Sequence, residues 1–329
     1  MLDKNDIRVS IICVAYNQEK YIKKAIDSFL MQKTNFNYEI IIHDDASTDN
    51  TINIINEYKN KYPEKIITVF EKENIYSKNE SIFSRVIKYI NGDYIAVCDG
   101  DDYWTDVNKL QTQFDILENN PNCSSCVHTV LTCKEDGSYN EQIKPSNKYK
   151  LDYTGTIKQK DFAKLLFEKA SSKCPFQTSS FFYRKNIAID AISKNWSIDR
   201  RRYYDANMLK MFLIYGDVYY INKPMSVYRI GSESSIFISS KKNLSLVPNE
   251  MFNLVVEDIK YDNYSDYKYH KFIMCEIYKY LLYSKEIKIN IEKNNVLMKD
   301  NNLNLLFSIK YVGFKRIIIH FINLIKNLL

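Results

Sequence analysis

The chain has 329 residues, a mass of 39.0 kDa and a formal net charge of +6, and at about 150 residues per domain this length predicts roughly two domains. Its seven glycines lie far apart, and the closest two are eight residues from each other. This spacing excludes the Gly-rich phosphate loops of Rossmann dehydrogenases and P-loop kinases, and the GxSxG elbow of hydrolases. The four histidines include no HExxH pair. Carboxylates are therefore the expected ligands of any metal, which favours Mg²⁺ or Mn²⁺.

Charge and cysteine content suggest where the chain works. A sequence pI near 8.7 suits a phosphorylated substrate or an anionic membrane surface, and we expect no nucleic-acid partner. The seven cysteines form no paired framework, which is typical of a reducing compartment. The first residues do not resemble a signal peptide, and no long apolar run is present. We therefore expect a cytoplasmic protein without a membrane-spanning helix.

Strands and helices alternate over the first part of the chain. Short apolar runs rich in β-branched residues predict four buried strands, at 9–15, 38–43, 66–70 and 94–98. Apolar residues at helical spacing predict the intervening helices, at 21–30, 51–62, 82–90 and 110–117. This alternation with short connections predicts an α/β fold whose central sheet is mostly parallel, with helices on both faces.

A more mixed pattern follows from about residue 121. Further strands are predicted at 124–132, 179–183, 218–221 and 225–229, and helices at 162–167 and 204–215. From about residue 245 the pattern is helical and rich in Lys, Asn, Ile and Tyr. We therefore predict one domain over residues 1–235, with halves 1–120 and 121–235, and a helical C-terminal extension over residues 240–329.

The end of that extension forms a basic amphipathic segment. In residues 316–329 polar side chains recur every three to four residues among isoleucines and leucines. Such a helix can lie in the anionic inner leaflet of a membrane. It can equally pack on the protein's own core or on a second subunit. Peripheral association with the inner face of the plasma membrane is therefore one of two expectations.

Two acidic clusters follow predicted strands. Asp44 and Asp45 come after the second strand, and residues 99–102 (Asp-Gly-Asp-Asp) come after the fourth. In open α/β sheets ligands bind beyond the carboxyl ends of the strands. Ionised carboxylates at close range repel each other, and a divalent cation that also binds a diphosphate relieves this repulsion. The alternative interpretation is that residues 99–102 form a turn that caps the next helix.

Capping residues are also expected near the first two helices. Asn17 is predicted to be the N-cap of the first helix, with Lys20 at the N3 position. Ser47 or Thr48 is predicted to be the N-cap of the second. These capping roles are compatible with a ligand-binding role for the preceding aspartates, whose carboxylates can accept hydrogen bonds from a nucleobase or a ribose.

Three segments in this order carry a specific resemblance. They read VSIICVAYNQEKYIKKAIDSFLMQ, YEIIIHDDASTDNT and GDYIAVCDGDDYW. Together they resemble the family-2 glycosyltransferases with the GT-A fold, in the versions found in bacterial enzymes that build capsule, O-antigen or similar surface glycans. The resemblance is strong over residues 7–120 and readable to about residue 230. It implies a Rossmann-like α/β fold and transfer of a sugar from a nucleotide-sugar donor.

The resemblance also implies roles for the matching residues. Tyr16 resembles the aromatic contact to the nucleobase, and Asp45, beside Asp44, resembles the carboxylate that reads the base. Residues 99–101 occupy the family's DxD motif. The implied contacts to the donor and to a Mn²⁺ or Mg²⁺ ion are Tyr16, Asp44, Asp45 and Asp99 for the donor, and Asp101 and Asp102 for the metal. Which of these aspartates binds the ion directly is left open.

Two residues past the acidic cluster complete the implied site. Asp205 resembles the residue that removes the proton from the acceptor hydroxyl, with Asp199 and Asp190 as alternatives, although a carboxylate at a helix start is also favoured by the helix dipole. Arg229, in the segment SVYR, resembles a contact to the donor diphosphate. The basic run at residues 200–202 suits a diphosphate, an anionic acceptor or solvent.

Departures from the family pattern refine the expectation. Ala46 replaces the family's common glycine, which predicts that no positive φ is needed there. The QxxRW motif of processive synthases is absent, so we expect transfer of one sugar per acceptor.

Other chemistry-bearing residues have plainer interpretations. Cys123, Cys126 and His128 are expected to be buried residues of a strand rather than zinc ligands. His43 is expected to be a packed strand residue. Thr178 and Ser179 resemble the family's acceptor-side segment, or simply start a strand.

The sequence thus predicts a metal-dependent, inverting, non-processive glycosyltransferase. Its donor would be a nucleotide-diphosphate sugar, most simply a UDP-sugar, and its acceptor a hydroxyl of a bacterial surface glycan, lipid-linked or free. The alternatives are a nucleotidyl or phosphoryl transferase, which also uses carboxylate-bound magnesium, and a non-catalytic membrane-associated scaffold that retains the fold.

Overall fold

A computed structural model describes residues 6–78, 82–145, 149, 151–166, 175–193 and 204–231. The strands in this part of the chain are β1 (Ile7–Ala15), β2 (Asn37–Asp44), β3 (Ile66–Phe70), β4 (Tyr94–Val97), β5 (Tyr103–Trp104), β6 (Cys123–Cys133), β7 (Tyr139–Lys144), β8 (Gly155–Ile157), β9 (Phe182–Arg184) and β10 (Asp217–Arg229). The α-helices are α1 (Ile22–Leu30), α2 (Thr51–Lys61), α3 (Ile82–Val86), α4 (Lys109–Asn119), α5 (Gln159–Lys164), α6 (Lys185–Ser193) and α7 (Tyr204–Tyr215).

The strands join one sheet in the order β3-β2-β1-β4-β9-β6-β10-β5, with β7 beside β6 and β8 beside β10. β1 pairs in parallel with both β2 and β4, and β2 with β3. β9 is antiparallel to β4 and to β6, so β6 and its parallel partner β10 run in the direction of β1. The prediction of a mostly parallel sheet is confirmed, and β9 is the reversed strand that joins its two parallel groups.

Helices cover both faces of this sheet, as predicted. Side chains alternate along β9, and Phe182 stacks on Tyr94, whose ring also meets Phe114 of α4. Phe181, just before β9, and Tyr183 of β9 both pack on Phe212 of α7, with ring centroids 5.3 and 5.2 Å from that of Phe212. α4 and α7 therefore lie on opposite faces. Because β1 is central and covered on both sides, apolar residues fill it almost continuously.

A buried polar network joins the first strands of the sheet. The Glu39 carboxylate accepts a hydrogen bond from the Ser10 hydroxyl at 2.6 Å, and bonds from the backbone and side-chain N–H groups of Asn91 at 2.7 and 2.8 Å. Ser10 in turn accepts from the backbone N–H of Gly92. A Cβ at Gly92 would lie 2.6 Å from the Ser10 backbone nitrogen, so only glycine permits this approach. The network fixes β1, β2 and the start of β4 relative to one another.

Three predicted elements differ in detail from the observed ones. The helix predicted at 82–90 is α3 followed by a short 3₁₀ turn, Ile87–Tyr89. The strand predicted at 179–183 is a 3₁₀ turn, Thr178–Ser180, followed by β9. The two strands predicted at 218–221 and 225–229 are one strand, β10, whose register with β6 shifts around Pro224. Proline lacks the N–H that a regular ladder needs, which explains both the predicted break and the observed irregularity.

Lys109, the first residue of α4, is fully buried. Its ammonium donates a hydrogen bond to Gln113 Oε1 at 2.7 Å and lies 4.0 Å from the ring centroid of Trp104. Burial disfavours the charged form and lowers the pKa of Lys109 to about 7.

This pKa makes stability depend on pH. Above pH 7 the folded protein holds Lys109 neutral, whereas the unfolded chain keeps it protonated to about pH 10. Unfolding then takes up a proton, so Lys109 contributes a rise of about 1.5 kcal/mol to the free energy of unfolding between about pH 7 and 8.5. Chemical unfolding of wild type and Lys109→Met at both pH values measures this contribution as a difference in pH slope, because the cysteines ionise in the unfolded chain of both proteins. The same pH slope in the two proteins would contradict the assignment.

No helix in the described part of the chain has the length and apolar character needed to cross a membrane. The predicted C-terminal extension, with its amphipathic segment at residues 316–329, lies outside the described residues.

Candidate functional site

The carboxyl ends of β1, β2 and β4 lie side by side. Ala15, the last residue of β1, pairs with Asp44, the last of β2, and accepts a hydrogen bond from the Asp45 backbone N–H at 3.0 Å. On the other side of β1, the Gly100 N–H donates to Val14 O at 2.9 Å. The structure therefore brings Tyr16, Asp44 and Asp45 to the same edge of the sheet as the acidic turn, residues 99–102.

The loop after β1 is joined to the loop after β2 by hydrogen bonds. The Asn17 backbone N–H donates to Ser47 Oγ at 2.9 Å, and Asn17 Oδ1 accepts from the Thr48 N–H at 2.8 Å. The Gln18 N–H donates to Thr51 Oγ1 at 2.7 Å. These bonds hold the residues that follow Tyr16 against the segment that follows Asp45.

The predicted helix caps are wrong. α1 begins at Ile22 with Tyr21 at the N-cap position, so Asn17 is not its cap and Lys20 is not at N3. α2 begins at Thr51, whose N–H donates to Asp49 Oδ1 at 3.0 Å, while Ser47 and Thr48 bond within the two loops instead. These short polar side chains form hydrogen bonds with a loop that is distant along the chain instead of with the helix ends. The local sequence does not show such partners.

The expectation for Ala46 is also wrong. Its φ is +62°, in the left-handed region, and Asn17 shares this conformation with φ of +51°. Asparagine tolerates it, but an alanine Cβ is strained there by roughly 1–2 kcal/mol. The hydrogen bond from the Ser47 N–H to Asp44 and that from the Thr48 N–H to Asn17 fix the path of the chain around Ala46. They impose this conformation although the residue is not a glycine.

Ala46→Gly is therefore expected to stabilise the fold. Relief of strain exceeds the added entropy of the unfolded chain, which gives a net gain of roughly 0.5–1 kcal/mol. Urea unfolding should show a higher midpoint with an unchanged m-value. Ala25→Gly, inside α1, is the matched control and should lower the midpoint. A lower midpoint for Ala46→Gly would contradict the account.

Asp44 and Asp45 differ in their surroundings although both are buried. The Asp44 carboxylate accepts hydrogen bonds from the Ser47 hydroxyl and backbone N–H, and burial raises its pKa. The Asp45 oxygens accept from the N–H groups of Ile75 and Tyr76 at 2.8 and 3.0 Å. Each Asp45 oxygen accepts one of these bonds, and a carboxylate oxygen has capacity for a second.

Tyr16, directly after β1, leaves 37% of its surface exposed. An exposed aromatic ring at the same edge of the sheet as a carboxylate is suited to binding a flat ligand ring that forms hydrogen bonds.

The acidic turn contains three carboxylates. Asp99 and Asp101 are half-buried, whereas Asp102 is buried and its Oδ1 accepts the Arg229 backbone N–H at 2.9 Å. Burial raises the pKa of Asp102 well above its usual value, and the negative charges of Asp101 and Asp99 raise it further. A bound cation would oppose this repulsion.

The oxygen atoms in and beside the acidic turn are of the kind that a hard cation prefers. Gln18 is buried, and its Oε1 has no hydrogen-bond partner among the described residues. A Cβ at Gly100 would lie 2.3 Å from this oxygen, so the amide rests directly on the turn. Carboxylate and amide oxygens are the ligands that Mg²⁺ and Mn²⁺ prefer. In the part of the chain that the structure describes, no three His, Cys, Asp or Glu residues group as a metal site.

Arg229 ends β10 next to this turn and is 5% exposed. Its guanidinium donates to Asp101 O at 3.2 Å, Lys134 O at 3.1 Å and Glu135 O at 2.9 Å. It also lies 4.4 Å from the ring centroid of Tyr21. These contacts were not foreseen from the sequence, because the partners lie roughly one hundred to two hundred residues away along the chain. The predicted contact between Arg229 and a diphosphate stays a prediction.

Asp205 lies in the first turn of α7, so its backbone is placed as predicted, at a helix start. Its side chain is not among those described. Asp190 lies on α6, and Asp199 with the basic run at residues 200–202 is outside the described residues. The assignment of the acceptor base therefore stays a prediction.

Thr178 and Ser179 are buried. Ser179 Oγ lies 3.0 Å from Ser226 Oγ, and its carbonyl accepts the Trp104 indole N–H at 3.1 Å. These contacts connect the 3₁₀ turn to β5 and β10 and give Ser179 structural partners.

The cysteines and histidines of the strands are packed as expected. Cys123, Cys126 and His128 are buried in β6, and burial lowers the pKa of His128 well below its usual value. His43 is buried in β2, and its Nε2 lies 3.3 Å from Glu71 Oε1.

Comparisons with known proteins agree with this architecture. A dTDP-rhamnosyl transferase of Shigella flexneri, RfbG, is 30% identical over 74% of this chain and 82% of its own length. An uncharacterized protein of Mycobacterium tuberculosis is 32% identical over 67% of this chain, but the chain spans 58% of that protein's length. TarS residues 1–349 from S. aureus, solved with UDP-GlcNAc, has the same fold, with a TM-score of 0.60 and 15% identity over 87% of this chain and 78% of its own.

The sequence profile of glycosyl transferase family 2 matches residues 10–192. This range runs from β1 through the acidic turn to α6 and covers more than half of the chain. The chain belongs to glycosyl transferase family 2.

Proposed function

We propose that the chain is a metal-dependent, inverting, non-processive glycosyltransferase that uses a nucleotide-diphosphate sugar. The observation that carries the proposal is the meeting of Tyr16, Asp45 and the acidic turn at adjacent strand ends. Relatives named as sugar transferases support it. A UDP-sugar is the donor class we favour, since the structural neighbour TarS is solved with UDP-GlcNAc.

The donor nucleoside is assigned to the ends of β1 and β2. Tyr16 would stack on the base, and the second lone pair of an Asp45 oxygen would accept an N–H of the base. Ile75 and Tyr76 hold the Asp45 carboxylate through their N–H groups, which fixes its direction. Asp44 would support this arrangement through the turn that it forms with Ser47.

The diphosphate half of the donor is assigned to the acidic turn. Asp99, Asp101 and Asp102 would hold a Mn²⁺ or Mg²⁺ ion, with Asp101 and Asp102 as the direct ligands. When bound, the ion would neutralise the charge that develops on the departing diphosphate. Since Asp102 also accepts the Arg229 N–H, its carboxylate is fixed in place before a donor arrives.

The transfer step needs a base on the acceptor. The Asp205 carboxylate would take the proton of the acceptor hydroxyl as that oxygen bonds to the anomeric carbon and the bond to the diphosphate oxygen breaks. Attack from the face opposite the leaving group inverts the anomeric configuration. Asp205 lies in the first turn of α7.

The acceptor is assigned to bacterial surface-glycan synthesis. An Escherichia coli relative that is 40% identical over 110 residues is named as a glucosyltransferase acting on a diphosphoundecaprenol-linked GlcNAc. A lipid-linked acceptor would place the enzyme at the inner leaflet, and the amphipathic segment at residues 316–329 is our candidate for that contact.

Calorimetric binding of a donor panel tests the proposal. UDP-, dTDP- and GDP-sugars are titrated into the full chain in Mn²⁺ and in EDTA. One nucleotide class should bind roughly ten times more tightly with the ion. Asp115→Asn, on the exposed side of α4, is the control and should bind as wild type does. Absence of binding for every donor, in Mn²⁺ and in EDTA, would refute the transferase proposal and favour a non-catalytic scaffold.

A further inference from the structure

Arg229 connects three separate pieces of the molecule. Its guanidinium bonds to the carbonyl of Asp101 in the acidic turn and to the carbonyls of Lys134 and Glu135. Its backbone N–H bonds to the Asp102 carboxylate at 2.9 Å. One residue at the end of β10 therefore holds both the backbone and a carboxylate of the acidic turn.

The second piece is the tight turn between β6 and β7, here called the 134–138 turn. The Lys134 N–H donates to Ser138 O at 2.9 Å, and the Gly137 N–H donates to Lys134 O at 3.0 Å. Asp136 accepts the Ser138 N–H, and Gly137 adopts a positive φ of +85°. A turn closed in this way presents fixed carbonyls, so it is a rigid anchor for the guanidinium.

The third piece is the start of α1. The Tyr21 ring lies beneath the Arg229 guanidinium, and its hydroxyl donates to Glu135 Oε1 at 3.2 Å. Glu135 thus contributes its carbonyl to Arg229 and its carboxylate to Tyr21. The three pieces close a ring of contacts around a charge that is almost entirely buried.

We propose that Arg229 is a positioning residue that locks the acidic turn onto the 134–138 turn and Tyr21, and thereby sets the affinity for the cation–diphosphate unit of the donor. This inference rests on the proposed function. It differs from a direct contact between Arg229 and the diphosphate, because these guanidinium bonds go to backbone carbonyls. An arginine is needed because its planar fork can reach several acceptors, whereas a lysine ammonium acts as a single point.

Two measurements on the full chain test the inference. Hydrogen exchange of the ligand-free protein should be faster in Arg229→Lys within residues 99–104 and 134–138, and unchanged in β2. Mn²⁺ binding in the presence of UDP, followed by electron paramagnetic resonance, should weaken roughly 10–100-fold, as is typical when a residue that orients metal ligands is replaced. UDP binding in EDTA should stay near the wild-type value.

Arg8→Lys is the matched variant. It makes the same substitution at a partly exposed arginine that bonds to Asp93 at 2.9 Å, away from the three pieces, so both readouts should stay close to wild type. This variant and the β2 peptides separate a local release of the turn from general destabilisation.

Three outcomes would overturn the proposal. The first is hydrogen exchange in Arg229→Lys that stays at the wild-type rate within residues 99–104 and 134–138. Equal weakening of UDP binding with and without Mn²⁺ would overturn it in favour of a direct diphosphate contact. Wild type could fail to bind Mn²⁺–UDP while hydrogen exchange is still faster in Arg229→Lys. The proposed function would then fail, and the contacts of Arg229 would have only a structural role. Their stated effect on donor affinity would be overturned.

Discussion

Asp101→Asn is expected to lower sugar transfer by roughly 10³-fold, or about 4 kcal/mol of transition-state stabilisation. The residue lies in the acidic turn beside Asp99 and Asp102, where like charges meet and a cation would relieve them. An amide keeps the size of the carboxylate but removes its charge, so loss of activity would report the ionic role. Donor turnover measured over a range of Mn²⁺ concentrations gives the effect.

The matched control is Asp115→Asn, on the exposed side of α4. Asp115 bonds to Gln111 of the same helix, so this change removes a negative charge without touching the acidic turn. It should keep turnover close to wild type. Wild-type turnover by Asp101→Asn at every Mn²⁺ concentration would refute the cation-binding role of this residue.

Asp205→Asn is expected to lower kcat by roughly 10²–10⁴-fold and to leave donor binding unchanged. A general base acts only in the transfer step, so its loss should not affect the site that the ends of β1, β2 and β4 form. Transfer kinetics with saturating donor, together with donor titration by calorimetry, separates the two effects.

Asp190→Asn on α6 tests the alternative base. Normal transfer by this variant, with the loss confined to Asp205→Asn, would agree with the assignment. The reverse pattern would move the base to α6. Loss of donor affinity in Asp205→Asn would instead place this carboxylate in the donor site.

The sequence predicted the parts of the fold that depend on local pattern. Apolar runs gave the parallel strands β1 to β4, and the acidic residues after β2 and β4 predicted where they meet. Adjacent parallel strands end at one edge of a sheet, so no long-range information was needed. β9 was not predicted as an antiparallel strand between β4 and β6, because strand direction there depends on tertiary pairing.

Local rules failed where two loops compete for the same polar groups. Asn17, Ser47 and Thr48 are good cap residues by type, but they bond across the two loops that follow β1 and β2. Ala46 adopts the left-handed conformation although its side chain opposes it. Such conflicts between local preference and tertiary structure concentrate at functional sites.

The contacts of Arg229 show which part of the site could not be predicted from the sequence. Asp101 and Glu135 lie 128 and 94 residues from it along the chain, and a buried guanidinium that bonds to backbone carbonyls leaves no pattern in the partners' residue types. Resemblance to a family suggested a role in the donor site for this residue. The hydrogen bonds of its guanidinium support a different role, that of positioning the acidic turn, and a single sequence does not show these bonds.

A crystal structure of the full chain with UDP and Mn²⁺ would show directly whether the ends of β1, β2 and β4 form the donor site. We expect the uracil between Tyr16 and Asp45, and the Mn²⁺ ion with the diphosphate at Asp101 and Asp102. A nucleotide bound away from the ends of β1, β2 and β4, or an ion held by residues outside the acidic turn, would contradict this expectation.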